Sequence, residues 1–564
     1  MKFVRGGGVV VKFVRGFPST MLDDYQLNIV NIIKHAASRF GEREVVSRNL
    51  DGSVFRYNYS KAFERIKRLA NALESLGVDV GDRVGVLSWN THRFYELYFA
   101  IPSIGAVILQ MNLRLHPKEI TYVANHSGAK VIFVDESLLP IAEAIAPNIK
   151  AGKYVVMADG DLPDTKLPEV YSYEELLKES SSEYEFPIID ERSAYSACYT
   201  SGTTGNPKGV YYSHRAIVLH TLMAAIGLNL KLDDVFMQLV PMFHAQGWGV
   251  FFAATLVGCK LVFPGRYTAD NLAPVVELMQ SEGVTATAGA PAIFIPLLNY
   301  LQRVEPKPKF NMRAWSGATE PPLAMMRGLK EFGIEIIHAY GATETTPLVC
   351  WNVIKPELRE VMSEEEQWEL RRKQGIPVFG IEVKLVDENG KELPHDGKSI
   401  GELYIKGHWI TASYYNDPRT FDSFEDEGLL KWWKSGDAAT IDEHGYIKIV
   451  DRFKDLIKSG GEWISSVDLE NYLMAHPAVF EACVVGIPHP KWEERPLAFV
   501  VLKSEYKEKV SKEELYEHLK QRFAKWQLPD EILFVDEIPK TSVGKFSKRT
   551  LREKYKDYYM KQTS

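Results

Sequence analysis

The chain has 564 residues, a formal net charge of −7 at pH 7 and 45% hydrophobic residues, enough for one large body and one smaller one. The negative charge, and the lack of any basic cluster interleaved with aromatic residues, argue against nucleic acid as a partner. The four cysteines, Cys198, Cys259, Cys350 and Cys483, are far apart and form no Cys-x-x-Cys pair. Neither a zinc site nor a disulfide framework is therefore predicted, and a reducing cytoplasm fits best.

The amino-terminal segment repeats itself, because Lys2-Phe3-Val4-Arg5-Gly6 recurs as Lys12-Phe13-Val14-Arg15-Gly16. Its apolar stretch is too short for a signal peptide, and no small-residue cleavage site follows it. We interpret residues 1–16 as a loosely attached extension. No apolar run in the chain reaches the roughly 18 residues of a membrane span, so no stable membrane anchor is expected.

The periodicity of apolar residues predicts an α/β fold. From Tyr59 to Gly77 they recur every three or four residues, which predicts a helix ending near the glycine. Short β-rich runs, each entered from a helical pattern, follow at 84–87, 131–134, 261–263, 284–286 and 334–337. This alternation predicts parallel-rich sheets covered by helices in a large amino-terminal domain. Ligands in such folds bind at the carboxyl ends of the strands.

The most informative stretch is Tyr199-Thr200-Ser201-Gly202-Thr203-Thr204-Gly205-Asn206-Pro207-Lys208-Gly209-Val210. Its glycines let the backbone turn and present N–H groups, its hydroxyls add donors, and Lys208 adds a positive charge. The spacing is not that of the kinase-type P-loop, since a glycine follows the lysine. The stretch predicts a site for a polyanion.

This string resembles the phosphate loop of the adenylate-forming enzymes, which include acyl-CoA synthetases, luciferases and peptide-synthetase adenylation domains. The resemblance implies that the loop binds ATP phosphates through Thr200, Ser201, Gly202, Thr203, Thr204, Gly205 and Lys208. Lys208 would also stabilise charge during catalysis.

Four further stretches resemble the same family. In Pro241–Trp248, His244 resembles a residue beside the reacting carboxylate, and Trp248 resembles the gate of an acyl tunnel. In 315–321, Gly317 resembles part of the loop along the adenine. In the next stretch, 338–347, the resemblance makes His338 a nucleotide-binding residue and Tyr340 the residue that stacks on adenine. Thr343 would lie at the α-phosphate. Glu344 would be a Mg²⁺ ligand, and Thr200 would be the second protein ligand of the metal. Carboxylate oxygen is the donor that Mg²⁺ prefers.

The carboxyl-terminal third carries the remaining motifs. Asp437 resembles the carboxylate that accepts both ribose hydroxyls, because one carboxylate offers two acceptor oxygens to a diol. The charged run 451–465 looks strand-poor, and we interpret 451–456 as a hinge between domains 1–450 and 457–564. The resemblance places Arg452 at the ribose, Lys454 at the pivot, and Lys458 and Trp463 near the nucleotide. Lys545 resembles the mobile catalytic lysine.

Beyond the hinge, periodicity predicts a small mobile α+β domain. Ser465-Ser466-Val467-Asp468 and Ser511-Lys512-Glu513-Glu514 have the form of helix N-terminal caps, predicting helices that end by Pro477 and Pro529. Strands are predicted at 446–450, 482–486 and 497–502.

The resemblance, strongest to homodimeric bacterial fatty-acyl-CoA synthetases and also seen with archaeal 4-hydroxybutyrate ligases, implies an AMP-forming acyl-CoA ligase. ATP and a carboxylic acid would give acyl-AMP, and CoA would then give the thioester, with Mg²⁺ as cofactor and a homodimer as the assembly. The acid is left open between a short-chain or hydroxy acid and a medium- or long-chain fatty acid. The alternatives are a luciferase-like oxygenase and carrier-protein loading, which share the first half-reaction. A non-catalytic acyl-binding protein would be expected to lack Glu344 or Lys545.

Overall fold

The computed structural model describes residues 13–200, 206–453, 455–459, 462–507, 509–540 and 546–562. Four sheets organise these residues, two of them mainly parallel and two mainly antiparallel. The fold class predicted from the sequence, a large α/β body followed by a small α+β unit, is confirmed. Within the described part of the chain, no helix is long and apolar enough to cross a membrane.

The first part of the chain forms most of one sheet. Its elements are α1 Val30–Arg39, β1 Glu44–Arg48, β2 Val54–Asn58, α2 Tyr59–Ser75, β3 Arg83–Leu87, α3 His92–Ser103, β4 Val107–Gln110, α4 Pro117–Ser127, β5 Ala129–Asp135, α5 Leu139–Ile145, β6 Lys153–Met157, β7 Val170–Ser172, α6 Tyr173–Glu179, β8 Ala194–Tyr199 and β9 Gly209–Ser213. Seven strands pair in the order β7-β6-β5-β3-β4-β8-β9. All neighbours are parallel except β8 and β9, an antiparallel hairpin that carries the glycine-rich stretch.

The predicted helix from Tyr59 to Gly77 is confirmed as α2. The side chain of Asn58 caps it, and Gly77, with a φ of 80°, follows its end. A positive φ suits glycine, which has no Cβ to clash.

The second sheet has a parallel centre and antiparallel edges. Its further elements are α7 His214–Gly227, β10 Val235–Met237, α8 Val250–Val257, β11 Lys260–Phe263, α9 Ala273–Glu282, β12 Ala286–Gly289, α10 Pro291–Arg303, β13 Met312–Ser316, α11 Leu323–Glu331, β14 Ile334–Gly341, β15 Leu348–Trp351, α12 Pro356–Val361, α13 Glu364–Arg372 and β16 Ile376–Pro377. Nine strands pair in the order β16-β15-β14-β13-β12-β10-β11-β1-β2. The predicted strand at 284–286 begins only at Ala286, because the N–H of Val284 still bonds to Met279 at the end of α9.

The third sheet is antiparallel, and the sequence predicted only its last strand. Its elements are β17 Ile381–Val386, β18 Glu392–Leu393, β19 Gly401–Gly407, α14 Thr420–Ser423, β20 Phe424–Glu427, β21 Leu430–Ile441 and β22 Ile447–Arg452. Strand β22 is shifted from the predicted 446–450 and pairs with β21, so that Asp437 lies opposite Arg452. The sheet therefore places two predicted site residues side by side.

The carboxyl-terminal unit has its own sheet and core. Its elements are β23 Ile457–Ser459, β24 Glu462–Ile464, α15 Ser466–Met474, β25 Val479–His489, β26 Glu493–Leu502, α16 Lys512–Lys520, β27 Glu531–Phe534, α17 Lys548–Tyr555 and α18 Tyr558–Gln562. The strands predicted at 482–486 and 497–502 lie within β25 and β26. The two serine caps are confirmed, since Ser465 and Ser511 each accept a bond from a first-turn N–H.

The expectation that 451–465 is poor in strands is wrong. Strand β22 ends inside this run, and β23 and β24 form a short hairpin in it. Leu456, Ile457 and Ile464 are buried between the charged residues, and this apolar spacing supports strands despite the charge. The boundaries of the predicted hinge stay a prediction.

Candidate active site

The hairpin β8–β9 brings together the two ends of the glycine-rich stretch. The backbone N–H of Thr200 donates to the carbonyl of Lys208 at 2.9 Å, and the N–H of Lys208 donates to Oγ1 of Thr200 at 3.3 Å. Ser201, Gly202, Thr203, Thr204 and Gly205 lie outside the described residues. The described ends of the stretch thus lie at the end of β8, which is parallel to β4, and α/β folds bind ligands at such strand ends.

Lys208 and Glu344 meet on Tyr414, a residue that the sequence analysis did not identify. The ammonium of Lys208 lies 4.0 Å from the centre of the Tyr414 ring, and the Tyr414 hydroxyl donates to Glu344 at 2.7 Å. Burial lowers the pKa of Lys208 from its ordinary value, while the charge of Glu344 opposes that shift. A partly desolvated cation and a buried carboxylate therefore stand on opposite parts of one aromatic side chain.

Tyr340, Asp437 and Arg452 form a second cluster. The Tyr340 hydroxyl donates to one oxygen of Asp437, and the Arg452 guanidinium pairs with the other oxygen at 3.0 Å. Burial, together with the neighbouring Asp437 charge, raises the pKa of Tyr340 well above its ordinary value. This cluster supplies an aromatic face, a carboxylate and a cation at the end of β14, which suits a nucleoside.

Two residues predicted to bind the nucleotide, Thr343 and His338, are buried and form hydrogen bonds with other parts of the chain. The backbone carbonyl of Thr343 accepts a bond from Tyr212 at 2.7 Å. The His338 ring lies 2.7 Å from the backbone carbonyl of Arg372, and burial lowers its pKa to about 4. His338 is therefore neutral at pH 7, and in the structure its imidazole makes a backbone contact.

Gly317 allows β13, β14 and Trp248 to approach one another. A Cβ atom at this position would lie 2.6 Å from the carbonyl oxygen of Ala339 and 3.3 Å from the tip of the Trp248 indole. The first distance is shorter than any real Cβ contact, so only glycine fits. The predicted adenine loop and the predicted acyl gate are thus in contact.

Trp248 stands on an unusual left-handed turn that follows His244. The φ angles of Ala245, Gln246 and Trp248 are 44°, 42° and 61°, and those of Gly247 and Gly249 are 56° and 67°. For residues other than glycine this conformation costs about 1–2 kcal/mol each. Five successive residues in this conformation indicate that the surrounding structure holds the backbone in it.

A pair of stacked indoles lies beyond this turn. Trp315 is fully buried, and its ring centre is 6.3 Å from that of Trp351 with 21° between the planes. A Cβ atom at Gly227, the last residue of α7, would lie 2.6 Å from Trp351 and 2.8 Å from Trp315. Helix α7 therefore packs directly onto both indoles.

Ion pairs connect the small unit to the large one. Arg372 pairs with Glu320 at 2.7 Å and with Asp468 of α15 at 3.4 Å, and Lys448 pairs with Asp468 at 2.9 Å. Asn471 donates to Glu320 at 2.9 Å. Glu320 belongs to the predicted adenine loop, so this loop contacts the small unit directly.

The remaining predicted residues follow Arg452 in the chain. Lys458, on β23, lies 4.0 Å from Glu493. The backbone of Trp463 pairs with Lys458 in the β23–β24 hairpin, but its side chain lies outside the described residues, as do Lys454 and Lys545. The structure therefore does not place the predicted pivot or the predicted catalytic lysine.

The carboxylate of Glu344 fits a role in holding Mg²⁺. It is only 8% exposed and is oriented by the Tyr414 hydroxyl. Among the described residues, no group of three or more His, Cys, Asp or Glu side chains could hold a metal ion. One carboxylate with substrate phosphates is the arrangement in which proteins commonly bind Mg²⁺.

Comparison with known proteins gives the family. Residues 33–415 match the AMP-binding enzyme family, and residues 468–545 match the AMP-binding enzyme C-terminal domain. The chain belongs to the AMP-binding enzymes. A long-chain-fatty-acid–CoA ligase of Thermus thermophilus is 48% identical, with 97% of this chain and 98% of that protein covered. A medium-chain-fatty-acid–CoA ligase of Ectopseudomonas oleovorans is 40% identical, with 96% and 98% covered.

A more distant relative and two solved structures agree with this family assignment. A 4-hydroxybutyrate–CoA ligase of Metallosphaera sedula is 35% identical, with 89% of this chain and 90% of that protein covered. The anthranilate CoA ligase AuaEII in complex with anthranoyl-AMP superposes with a TM-score of 0.82 at 26% identity, covering 95% and 98%. ATP-bound MatB from Rhodopseudomonas palustris superposes with a TM-score of 0.77 at 25% identity, covering 94% and 100%. This AMP-binding enzyme is an AMP-forming acyl-CoA ligase that uses ATP, Mg²⁺ and CoA.

Proposed function

We propose that this AMP-forming acyl-CoA ligase activates a short-chain carboxylic acid, with a hydroxy acid such as 4-hydroxybutyrate among the candidates. The observation that carries the proposal is the contact of Gly227 with the indoles of Trp315 and Trp351. Trp315 lies on β13, two residues before Gly317, and a Cβ atom at Gly317 would lie 3.3 Å from the Trp248 indole. An acyl chain that passes Trp248 therefore meets Trp315 next.

Aromatic bulk at that point supports a short pocket. The indole of Trp315 is 1% exposed, and its rotation is hindered because Trp351 stacks on it and helix α7 packs against both indoles. The related ligases act, by their names, on acids from 4-hydroxybutyrate to long-chain fatty acids. Chain length is therefore a property of each pocket within this family, and in this chain the pocket favours the shorter acids.

The site residues would divide the reaction between them. Tyr340 and Asp437 would hold the adenosine, with Arg452 beside the ribose, while Thr200, Lys208 and the neighbouring loop would bind the phosphates. Glu344 and Thr200 would hold Mg²⁺, which neutralises phosphate charge when bound. His244 would lie beside the attacking carboxylate. We further propose that Lys545 stabilises the first transition state and that rotation about Lys454 then withdraws it before CoA enters.

The ion pairs between the two units support a rotation between two distinct orientations. Arg372, Lys448 and Asp468 hold one relative orientation through specific contacts. These contacts must break if the small unit turns, so the two orientations would be distinct states. A closed cleft in each state protects acyl-AMP, which hydrolyses readily, from water.

Acid profiles of the enzyme and of Trp315→Val test the proposed substrate. AMP release should be measured with straight-chain acids of two to sixteen carbons, 4-hydroxybutyrate and 3-hydroxypropionate. We expect the wild type to prefer short acids, and the variant to gain about 15- to 60-fold in kcat/KM for acids longer by two or three methylenes, since each buried methylene contributes about 0.8 kcal/mol. Trp432→Val, a buried indole of β21 on the third sheet, is the control. A wild-type optimum at twelve to sixteen carbons would overturn the proposal.

We also propose a cytoplasmic homodimer. All four cysteines are buried free thiols, which suits a reducing compartment. An apolar arm near the amino terminus supports a dimer, because Phe17, Met21, Leu22 and Tyr25 are 98%, 75%, 76% and 71% exposed. Exposed apolar clusters of this kind mark interaction surfaces. Light scattering should give twice the chain mass of 64.0 kDa, and a monomer would contradict the assembly.

A further inference from the structure

Two buried glutamines hold the left-handed turn that carries Trp248. The backbone N–H of Gln246 donates to Oε1 of Gln110 at 2.7 Å, and Nε2 of Gln110 donates to Oε1 of Gln246 at 2.8 Å. Gln110 thus forms hydrogen bonds with both the backbone N–H and the side-chain oxygen of Gln246. Gln110 ends β4, a central strand of the first sheet, so the turn is fixed to a rigid element.

The same pair connects the turn to two parts of the nucleotide site. Gln110 also donates to Oγ of Ser196 on β8 at 2.8 Å, three residues before the glycine-rich stretch. Gln246 donates to the carbonyl of Thr346 at 3.3 Å, two residues after Glu344. The acyl side of the site is therefore joined by hydrogen bonds to the phosphate strand and to the Mg²⁺ motif.

A third buried glutamine, Gln238, bonds to the middle of the turn. Gln238 donates from Nε2 to the carbonyl of Gly247 at 3.0 Å, and the N–H of Gly247 donates to the carbonyl of His244 at 3.0 Å. The bond from Gly247 to His244 spans Ala245 and Gln246, whose φ angles are both positive. The position of His244 relative to Trp248 is consequently fixed by the same contacts.

We propose that Gln110, acting through Gln246, is a positioning residue that sets where Trp248 and His244 stand relative to the nucleotide, and thereby sets which acids are accepted. The proposal rests on the proposed function, in which Trp248 lines the acyl pocket. Gln110 does not touch the acid. It keeps a backbone conformation that residues other than glycine rarely adopt, and without it the turn relaxes and moves Trp248.

The test compares Gln110→Leu with the double variant Gln110→Leu/Gln246→Gly in acid-dependent ATP–pyrophosphate exchange. For Gln110→Leu we expect the KM of the preferred acid to rise at least tenfold and the optimum chain length to shift, with the KM of ATP changed less than twofold. Glycine adopts a φ near 42°, the value at Gln246, without hydrogen bonds that hold it there. We therefore expect the double variant to recover at least half of the lost selectivity.

Asn28→Leu is the matched control for loss of buried hydrogen bonds. Asn28 is buried and both donates to and accepts from the backbone of Ile189, at 2.7 and 3.0 Å. Its loss should lower Tm without altering the acid profile. If Gln110→Leu lowers Tm as Asn28→Leu does and leaves the profile unchanged, or if the double variant recovers nothing, Gln110 is merely structural and the proposal is overturned.

Trp248→Ala separates this proposal from the one on which it rests. If Trp248→Ala changes the acid profile and Gln110→Leu does not, only the positioning role fails. If Trp248→Ala leaves the profile unchanged, the acyl pocket has been misplaced, and both proposals fail whatever the glutamine variants do.

Discussion

Replacing Tyr414 with phenylalanine tests the assignment of the metal site. The variant keeps the ring below the ammonium of Lys208, 4.0 Å away, but removes the hydroxyl that donates to Glu344 at 2.7 Å. A hydrogen bond to a charged group contributes about 1.5–3 kcal/mol, and removing a residue that orients a metal ligand typically costs 10- to 100-fold in metal affinity. These two figures agree, because 1.36 kcal/mol corresponds to one factor of ten.

The assay is a Mg²⁺ titration of acid-dependent ATP–pyrophosphate exchange at saturating acid. We expect the half-maximal Mg²⁺ concentration of Tyr414→Phe to rise about 10- to 100-fold while the KM of the acid stays unchanged. Tyr59→Phe is the control, since its buried hydroxyl donates to the carbonyl of Cys259 in the hydrophobic core. If Tyr414→Phe and Tyr59→Phe respond to Mg²⁺ alike, Glu344 does not bind the metal.

Three further predictions use other parts of the chain. Lys545→Ala should abolish acyl-AMP formation and spare thioester formation from supplied acyl-AMP. Lys454→Pro, which fixes φ at the proposed pivot, should do the reverse, and equal losses of both half-reactions would refute the proposed rotation. Burial lowers the pKa of His214 and His338 to about 4, so below pH 6.5 these histidines bind protons in the unfolded chain before they do in the folded one. The free energy of unfolding should therefore fall by up to about 3 kcal/mol per histidine between pH 6.5 and 4. A stability that does not change with pH over this range would contradict the prediction. Arg372→Met should lower stability by about 3–5 kcal/mol because it removes the cation that pairs with the buried carboxylate of Glu320, and an unchanged urea midpoint would show that this pair is not stabilising.

Several residues that the resemblance assigned to one site lie on strands that pair with each other. Thr200 and Lys208 flank the predicted polyanion site because β8 and β9 pair as a hairpin, and hairpin neighbours are close in the sequence. Asp437 and Arg452 were predicted to bind the same nucleoside, and the pairing of β21 with β22 does bring them together. In both cases the residues were assigned by resemblance, and the structure brings them together because they lie on adjacent strands.

Partners that are distant in the sequence could not be predicted in this way. Tyr414 lies 70 residues from Glu344, and Gln110 lies 136 residues from Gln246. No periodicity joins such pairs, because the contact arises only when separate elements pack. Gln246 offered one local signal, a polar residue beside Gly247 in an otherwise apolar stretch.

The antiparallel third sheet was missed although its pattern was present. In β17, buried Ile381 and Leu385 are separated by the partly exposed Glu382, Val383 and Lys384, so the alternation is imperfect. The charged run after Asp451 misled the prediction for a related reason. Charged residues stand on both sides of the buried Leu456, Ile457 and Ile464 in the sequence and interrupt the apolar pattern.

Acid-dependent exchange of labelled pyrophosphate into ATP, measured without CoA, tests the central claim most directly. This activity requires a carboxylate to attack the α-phosphorus of ATP, which we propose binds beside Lys208, Glu344 and Asp437, and it needs no CoA. We predict exchange well above background with short acids, falling steeply as the chain lengthens past Trp315. Background exchange with every acid from two to sixteen carbons would contradict the account.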